Sequence, residues 1–143
     1  MCIMSFFRKN RKNKFHNKPV TVFGIRFDSK KEADRYLYLK ALQENGAISN
    51  LQTQVNIELI PAVTETVEVQ MKTKTKTKEV VLQKPIYYRA DFVYEKDGEE
   101  IVEDVKPCRN GFKFTKEFAI KKKLYFYKFR KEIKLIYDPL EKI

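Results

Sequence analysis

The stretch from Tyr87 to Pro107, YYRADFVYEKDGEEIVEDVKP, constrains this chain more than any other. Two β-prone runs, Tyr87 to Glu95 and Glu99 to Lys106, flank Asp97-Gly98, a dipeptide suited to a two-residue hairpin turn. With Asp97 and Gly98 as the loop, Lys96 pairs with Glu99, and counting back sets Asp91 directly opposite Asp104. Cβ atoms of residues paired in this way lie about 4.5–5.5 Å apart, and like charges there repel. Strand side chains alternate with period two, so Lys106 falls on the face of Asp104. Such a hairpin is either a solvated ribbon with its charges in water or a place built to hold a cation between two carboxylates.

Composition narrows the choice of cation and partner. The chain has 143 residues, enough for one domain with a single core. Its 30 Lys and Arg against 19 Asp and Glu give a formal charge of +11, which favours a polyanionic partner, nucleic acid first. Cys2 and Cys108 are the only cysteines and His16 the only histidine, so neither a structural zinc site nor histidine-based nuclease chemistry is expected. Any metal would be held by carboxylates, which suits Mg²⁺ or Mn²⁺. No run of about 18 apolar residues or signal-peptide pattern occurs, so the expectation is a protein without a membrane partner, in the cytoplasm.

Along the chain, residues 1–18 form a basic tail with Arg8, Lys9, Arg11, Lys12, Lys14 and Lys18 and no acid. Such a block is either a solubilising tail or an arm that orders on phosphates, with Arg11 among its contacts. Val20 to Phe27 reads as an edge strand. Ser29-Lys30-Lys31-Glu32 is a capping-box pattern that starts a helix over 30–44, ended by Asn45-Gly46. Val55 to Ile60 is a second β-run, closed by Pro61. Residues 63–83 alternate and include the Lys-Thr repeat Lys72 to Lys78, which predicts a two-stranded excursion. Its lysines, Lys74 and Lys76 among them, either contact DNA or block edge-to-edge aggregation. Thr115 caps a second helix from Lys116 to about Lys131, and Ile133 to Tyr137 is a last strand. Helix, strand, hairpin, helix, strand gives an α/β fold with a mixed central sheet and helices covering it, in a domain over 19–143.

Two close carboxylates, a lysine and a basic surface are what metal-dependent phosphodiester cleavage requires. Asp91 and Asp104 are the expected ligands for one or two ions, with the Val105 backbone carbonyl as a further one. Lys106 is placed to orient the nucleophile or neutralise charge on the phosphate. Arg89, across from Lys106 in the same register, either holds a phosphate or covers the sheet edge. In the lysine triple 121–123 at least two side chains must reach water or phosphate.

Asp91, the Asp104-Val105-Lys106 triplet and Glu32 on a preceding helix resemble the PD-(D/E)xK nuclease superfamily, and within it the small phage and prophage endonucleases of Holliday-junction-resolvase type. The resemblance spans about Phe23 to Tyr137. It implies an αβββαβ restriction-endonuclease-like core and a Mg²⁺- or Mn²⁺-dependent endodeoxyribonuclease acting on branched or structured DNA as a homodimer, in the host cytoplasm if phage-encoded. By the same resemblance Asp91 is the first acid, Asp104 the second, Lys106 the lysine, Glu32 the helix glutamate and Lys121 a phosphate-binding position, with Lys122 as its neighbour. Ala90 stands where the motif has Pro, and the second acid is Asp rather than Glu. The capping box alone also explains an acid at Glu32, the alternative to a metal ligand or water-positioning base. The alternative to a nuclease is a non-catalytic nucleic-acid-binding module on the same fold.

Overall fold

The structure, a computed structural model, describes residues 17–111 and 113–143; Arg11 and most of the basic tail lie outside them. In chain order the elements are β1 (Val20–Val22), β2 (Ile25–Phe27), α1 (Lys30–Glu44), β3 (Ser49–Ile60), β4 (Val63–Gln70), β5 (Thr75–Gln83), β6 (Ile86–Lys96), β7 (Glu99–Val105), α2 (Lys116–Phe129) and β8 (Lys134–Ile136). β3, β6, β7 and β8 form one mixed sheet in that order, antiparallel except for the β7–β8 pair. The result is an α/β fold with a mixed sheet and two helices.

The central hairpin has the predicted register. Lys96 pairs with Glu99 and the ladder runs back to Phe92 and Glu103. Asp97 (φ 52°) and Gly98 (φ 79°) both take left-handed conformations, as a type I′ turn demands. α1 begins where its cap predicts: the Ser29 hydroxyl accepts from the Glu32 N–H at 3.2 Å. α2 is capped in the same way, by Thr115 accepting from the Phe118 N–H.

Three boundaries differ from the sequence expectation. Val20 to Phe27 is a tight hairpin rather than one edge strand, because Phe23 (φ 48°) and Gly24 (φ 78°) turn the chain back. β3 starts at Ser49, six residues before the apolar run, since backbone pairing with β6 carries the strand through polar residues. α2 stops at Phe129, where Arg130 adopts φ 56° and its N–H bonds the Phe126 carbonyl.

Two apolar clusters clasp the sheet. One joins Ala33, Tyr36 and Leu39 of α1 to Phe27, Ile48, Phe92 and Tyr94. The other joins Tyr125 of α2 to Leu59, Tyr88, Ala90, Val93, Val102 and Ile133. Residues two apart on a strand share a face, yet Tyr88 and Ala90 pack with α2 while Phe92 and Tyr94 pack with the α1 cluster. The strand therefore rolls over between Ala90 and Phe92. Gln54 of β3 takes φ 54° at the same level, and the ladder skips the Gln54–Asp91 pair. Such irregularities re-aim side chains. Asp91 sits on this one.

Glu103 and Asp104 are neighbours on β7 and point to opposite sides. Glu103 is buried under α1, where Arg35 grips it with two hydrogen bonds of 2.8 and 2.7 Å and the Tyr94 hydroxyl donates a third at 2.6 Å. Both partners are fully buried. The remaining Arg35 nitrogen donates to the carbonyls of Pro139 and Glu141, tying the end of the chain to the core. A buried pair with its donors and acceptors satisfied fixes geometry more surely than it adds stability.

Candidate active site

Asp104 turns toward α2 and is 7% exposed. Its Oδ2 accepts from the Tyr88 hydroxyl at 2.7 Å, and its Oδ1 lies 2.9 Å from the Lys106 ammonium. The same ammonium sits 3.7 Å from the ring centroid of Phe118 in the first turn of α2. Lys106 is thus fixed from both sides, by a carboxylate and by an aromatic face. Its backbone N–H bonds the Ile136 carbonyl, so β8 holds the strand end in place.

Asp91 reaches across the hairpin where the ladder ends: its Oδ2 accepts from the Val105 N–H at 2.7 Å. Burial first, then the negative charges of Asp104 and Glu32, push the Asp91 carboxyl up to about 8, against the pull of the Val105 N–H.

Glu32 in α1 is the third acid in electrostatic reach. Burial raises its carboxyl, and the charge of Asp104 adds to the rise. Its oxygens bond the Ser29 hydroxyl at 3.1 Å and the Asp28 N–H at 3.2 Å. The capping role is therefore filled here. Lys31 spans from α1 to the carbonyls of Pro107 and Tyr137, locking the helix to the strand ends.

A cleft of about 420 Å³ opens beside these groups, lined by Glu32, Val105, Lys106, Lys30, Lys31 and the cap residues Ser29 and Thr115. The starts of both helices and three lysines border it, which gives it a positive rim. Neither Asp91 nor Asp104 lines its wall. Residues 12–139 match the family described as protein of unknown function (DUF1064). The chain belongs to the DUF1064 family. The match takes in every strand and helix from β1 to β8, the β4–β5 excursion included. No curated protein and no solved structure matches the chain.

Not every expected residue of this DUF1064 protein reaches the cleft. Arg89 pairs with Asn56 and donates to the Gln54 side chain at 2.7 Å, on the far side of the rollover. Lys121 is one turn beyond Phe118 and is paired with Glu117 at 2.7 Å. Lys122 borders a separate groove with Phe114 and Phe126. Lys74 and Lys76 stand on the β4–β5 ribbon. Tyr88, Phe118 and Lys31 were not singled out by sequence, although each holds or borders a site group. The carboxyls in electrostatic contact with one another are Asp91, Asp104 and Glu32. Among the described residues no three His, Cys, Asp or Glu side chains converge as a ligand cluster. Mg²⁺ needs only one or two carboxylates, since it keeps several waters.

Proposed function

We propose that this DUF1064 protein is a divalent-metal-dependent endodeoxyribonuclease of the PD-(D/E)xK type. The observation that carries the reading is Asp91, a carboxyl raised by burial and then by the charges of Asp104 and Glu32, bonded to the N–H of Val105 beside the fixed Lys106. Structural ion pairs do not ordinarily set like charges together in a protein interior. The order α1–β3–β6–β7–α2–β8 supports an αβββαβ core of the restriction-endonuclease kind.

In this reading Asp91, Asp104 and the Val105 carbonyl would hold Mg²⁺ or Mn²⁺, with Glu32 as the further acid of the set. A bound divalent ion lowers the pKa of water and stabilises charge on the transferring phosphate. Lys106 neutralises charge developing on the phosphorane, and Tyr88 keeps Asp104 in one rotamer. The lysine-rimmed cleft receives the DNA backbone. Branched or structured DNA is the substrate class, and symmetric incision of a junction calls for a homodimer.

Incubation with Mg²⁺ or Mn²⁺ and a panel of duplex, flap and four-way-junction DNAs tests this. Cleavage abolished by Asp104→Asn is expected. No cleavage of any substrate, or cleavage indifferent to that substitution, overturns the proposal.

One observation favours the second reading, a nucleic-acid-binding module without catalysis: Asp104 and Glu32 already have internal partners for every carboxylate oxygen. That reading predicts salt-dependent DNA binding and no calorimetric Mn²⁺ site that is lost with Asp91→Asn.

A further inference from the structure

The β4–β5 ribbon has no place in the catalytic proposal and no support from the domain. Its strands pair with each other and with neither other sheet. Every residue of β5 is exposed, and in β4 only Val67 is partly covered. A free two-stranded ribbon is marginally stable in water, so it earns no stability for the fold. Its faces are unlike. Lys76 and Lys78 stand opposite Val69 and Val67 on one face, with Lys72 and Lys74 at the tip. Thr75, Thr77 and Glu79 stand opposite Gln70, Glu68 and Thr66 on the other. Of the ribbon's acids only Glu65 shares the lysine face, opposite Val80 toward the base.

We infer that this ribbon is an arm that grips duplex DNA with its lysine face. Lysines two residues apart on a strand are about 6.8 Å apart, twice the ~3.4 Å axial rise per phosphate of one DNA strand. A two-stranded ribbon also fits the ~12 Å width of the major groove. Lys78, the ribbon lysine nearest in sequence to the acids, lies 13 residues before Asp91, or at most about 47 Å of extended chain. That is about one and a half turns of B-DNA at 34 Å each, so one duplex of ordinary length can lie on the ribbon and at the cleft together. The inference rests on the DNA-binding part of the proposed function and not on catalysis.

The test is anisotropy of a labelled 30-base-pair duplex, without divalent metal, from 50 to 200 mM KCl. The full chain is compared with a Lys72→Gln/Lys74→Gln/Lys76→Gln/Lys78→Gln variant and with a Glu68→Gln/Glu79→Gln variant. The lysine variant is expected to bind at least ~10-fold more weakly at 100 mM KCl and to lose about 2–4 from the slope of log K against log salt. The back-face variant keeps its slope. An unchanged slope in the lysine variant overturns the inference, including the case where only binding to phosphatidylserine vesicles is lost. Cleavage stays a separate readout: a chain that binds through the ribbon yet never cuts refutes the nuclease and leaves the arm standing.

Discussion

The hydroxyl of Tyr88 donates to Oδ2 of Asp104 across 2.7 Å, in the interior under α2. This bond leaves Oδ1 as the oxygen facing Lys106. Tyr88→Phe removes the donor and keeps the ring, so a buried carboxylate oxygen loses its partner. The expected loss is about 1–3 kcal/mol in urea unfolding. If Asp104 is a ligand, kcat falls while KM holds. A variant as stable as the parent shows that the bond does not fix Asp104.

Asp91 predicts a pH dependence of stability. Its carboxyl is raised in the folded state, to about 8 from an ordinary 3.8. The folded chain therefore keeps a proton that the unfolded chain gives up. This contribution is complete below about pH 4 and is lost as pH rises toward 8. Asp91→Asn removes it while the amide oxygen can still accept from the Val105 N–H. Thermal unfolding is expected to show the variant gaining on the parent at pH 8 relative to pH 5. Parallel curves across that range refute the assignment.

The Arg35–Glu103 pair is the fold's most exacting charge pair. Glu103→Gln or Arg35→Met alone strands a buried charge, at a cost of about 3–5 kcal/mol. Replacing both, as Arg35→Met with Glu103→Leu, is expected to recover much of the loss. A double-mutant cycle in urea measures the coupling, and additive losses reject it.

Lys106 competes with any cation for Asp104. Under the proposed function, Lys106→Met binds Mn²⁺ several-fold more tightly in calorimetry yet cleaves DNA more slowly. Tighter binding with undiminished cleavage removes Lys106 from the chemistry.

Much of this arrangement is legible in sequence, for local reasons. Asp97-Gly98 prescribes its own turn, and Ser29 and Thr115 prescribe their helix starts. The turn sets the register as far as Phe92 and Glu103; the direct Asp91–Asp104 pair it also predicts is absent from the ladder, and Asp91 bonds the Val105 N–H instead. Arg35 and Glu103 were hidden because a charged residue on a helix or hairpin reads as solvent-facing until its partner, 68 positions away, is known. The Phe23-Gly24 turn was hidden because phenylalanine seldom takes a positive φ. Arg89 follows the hairpin register in sequence, but the roll between Ala90 and Phe92 carries it to Gln54. Nothing local in Arg-Ala-Asp announces that roll.

Pro61 and Pro85 stand where the core sheet gives way to the ribbon, and just inside them Ile60 and Ile86 are already partners. Neither proline can donate to a ladder, so hydrogen bonding is interrupted at this seam. The ribbon is in effect a cassette with a closed joint beneath it. An Asn-Gly linker in place of residues 61–85 joins two strand ends that already meet. Ribbons of other lengths and charges can be spliced there while the acids beneath keep their places.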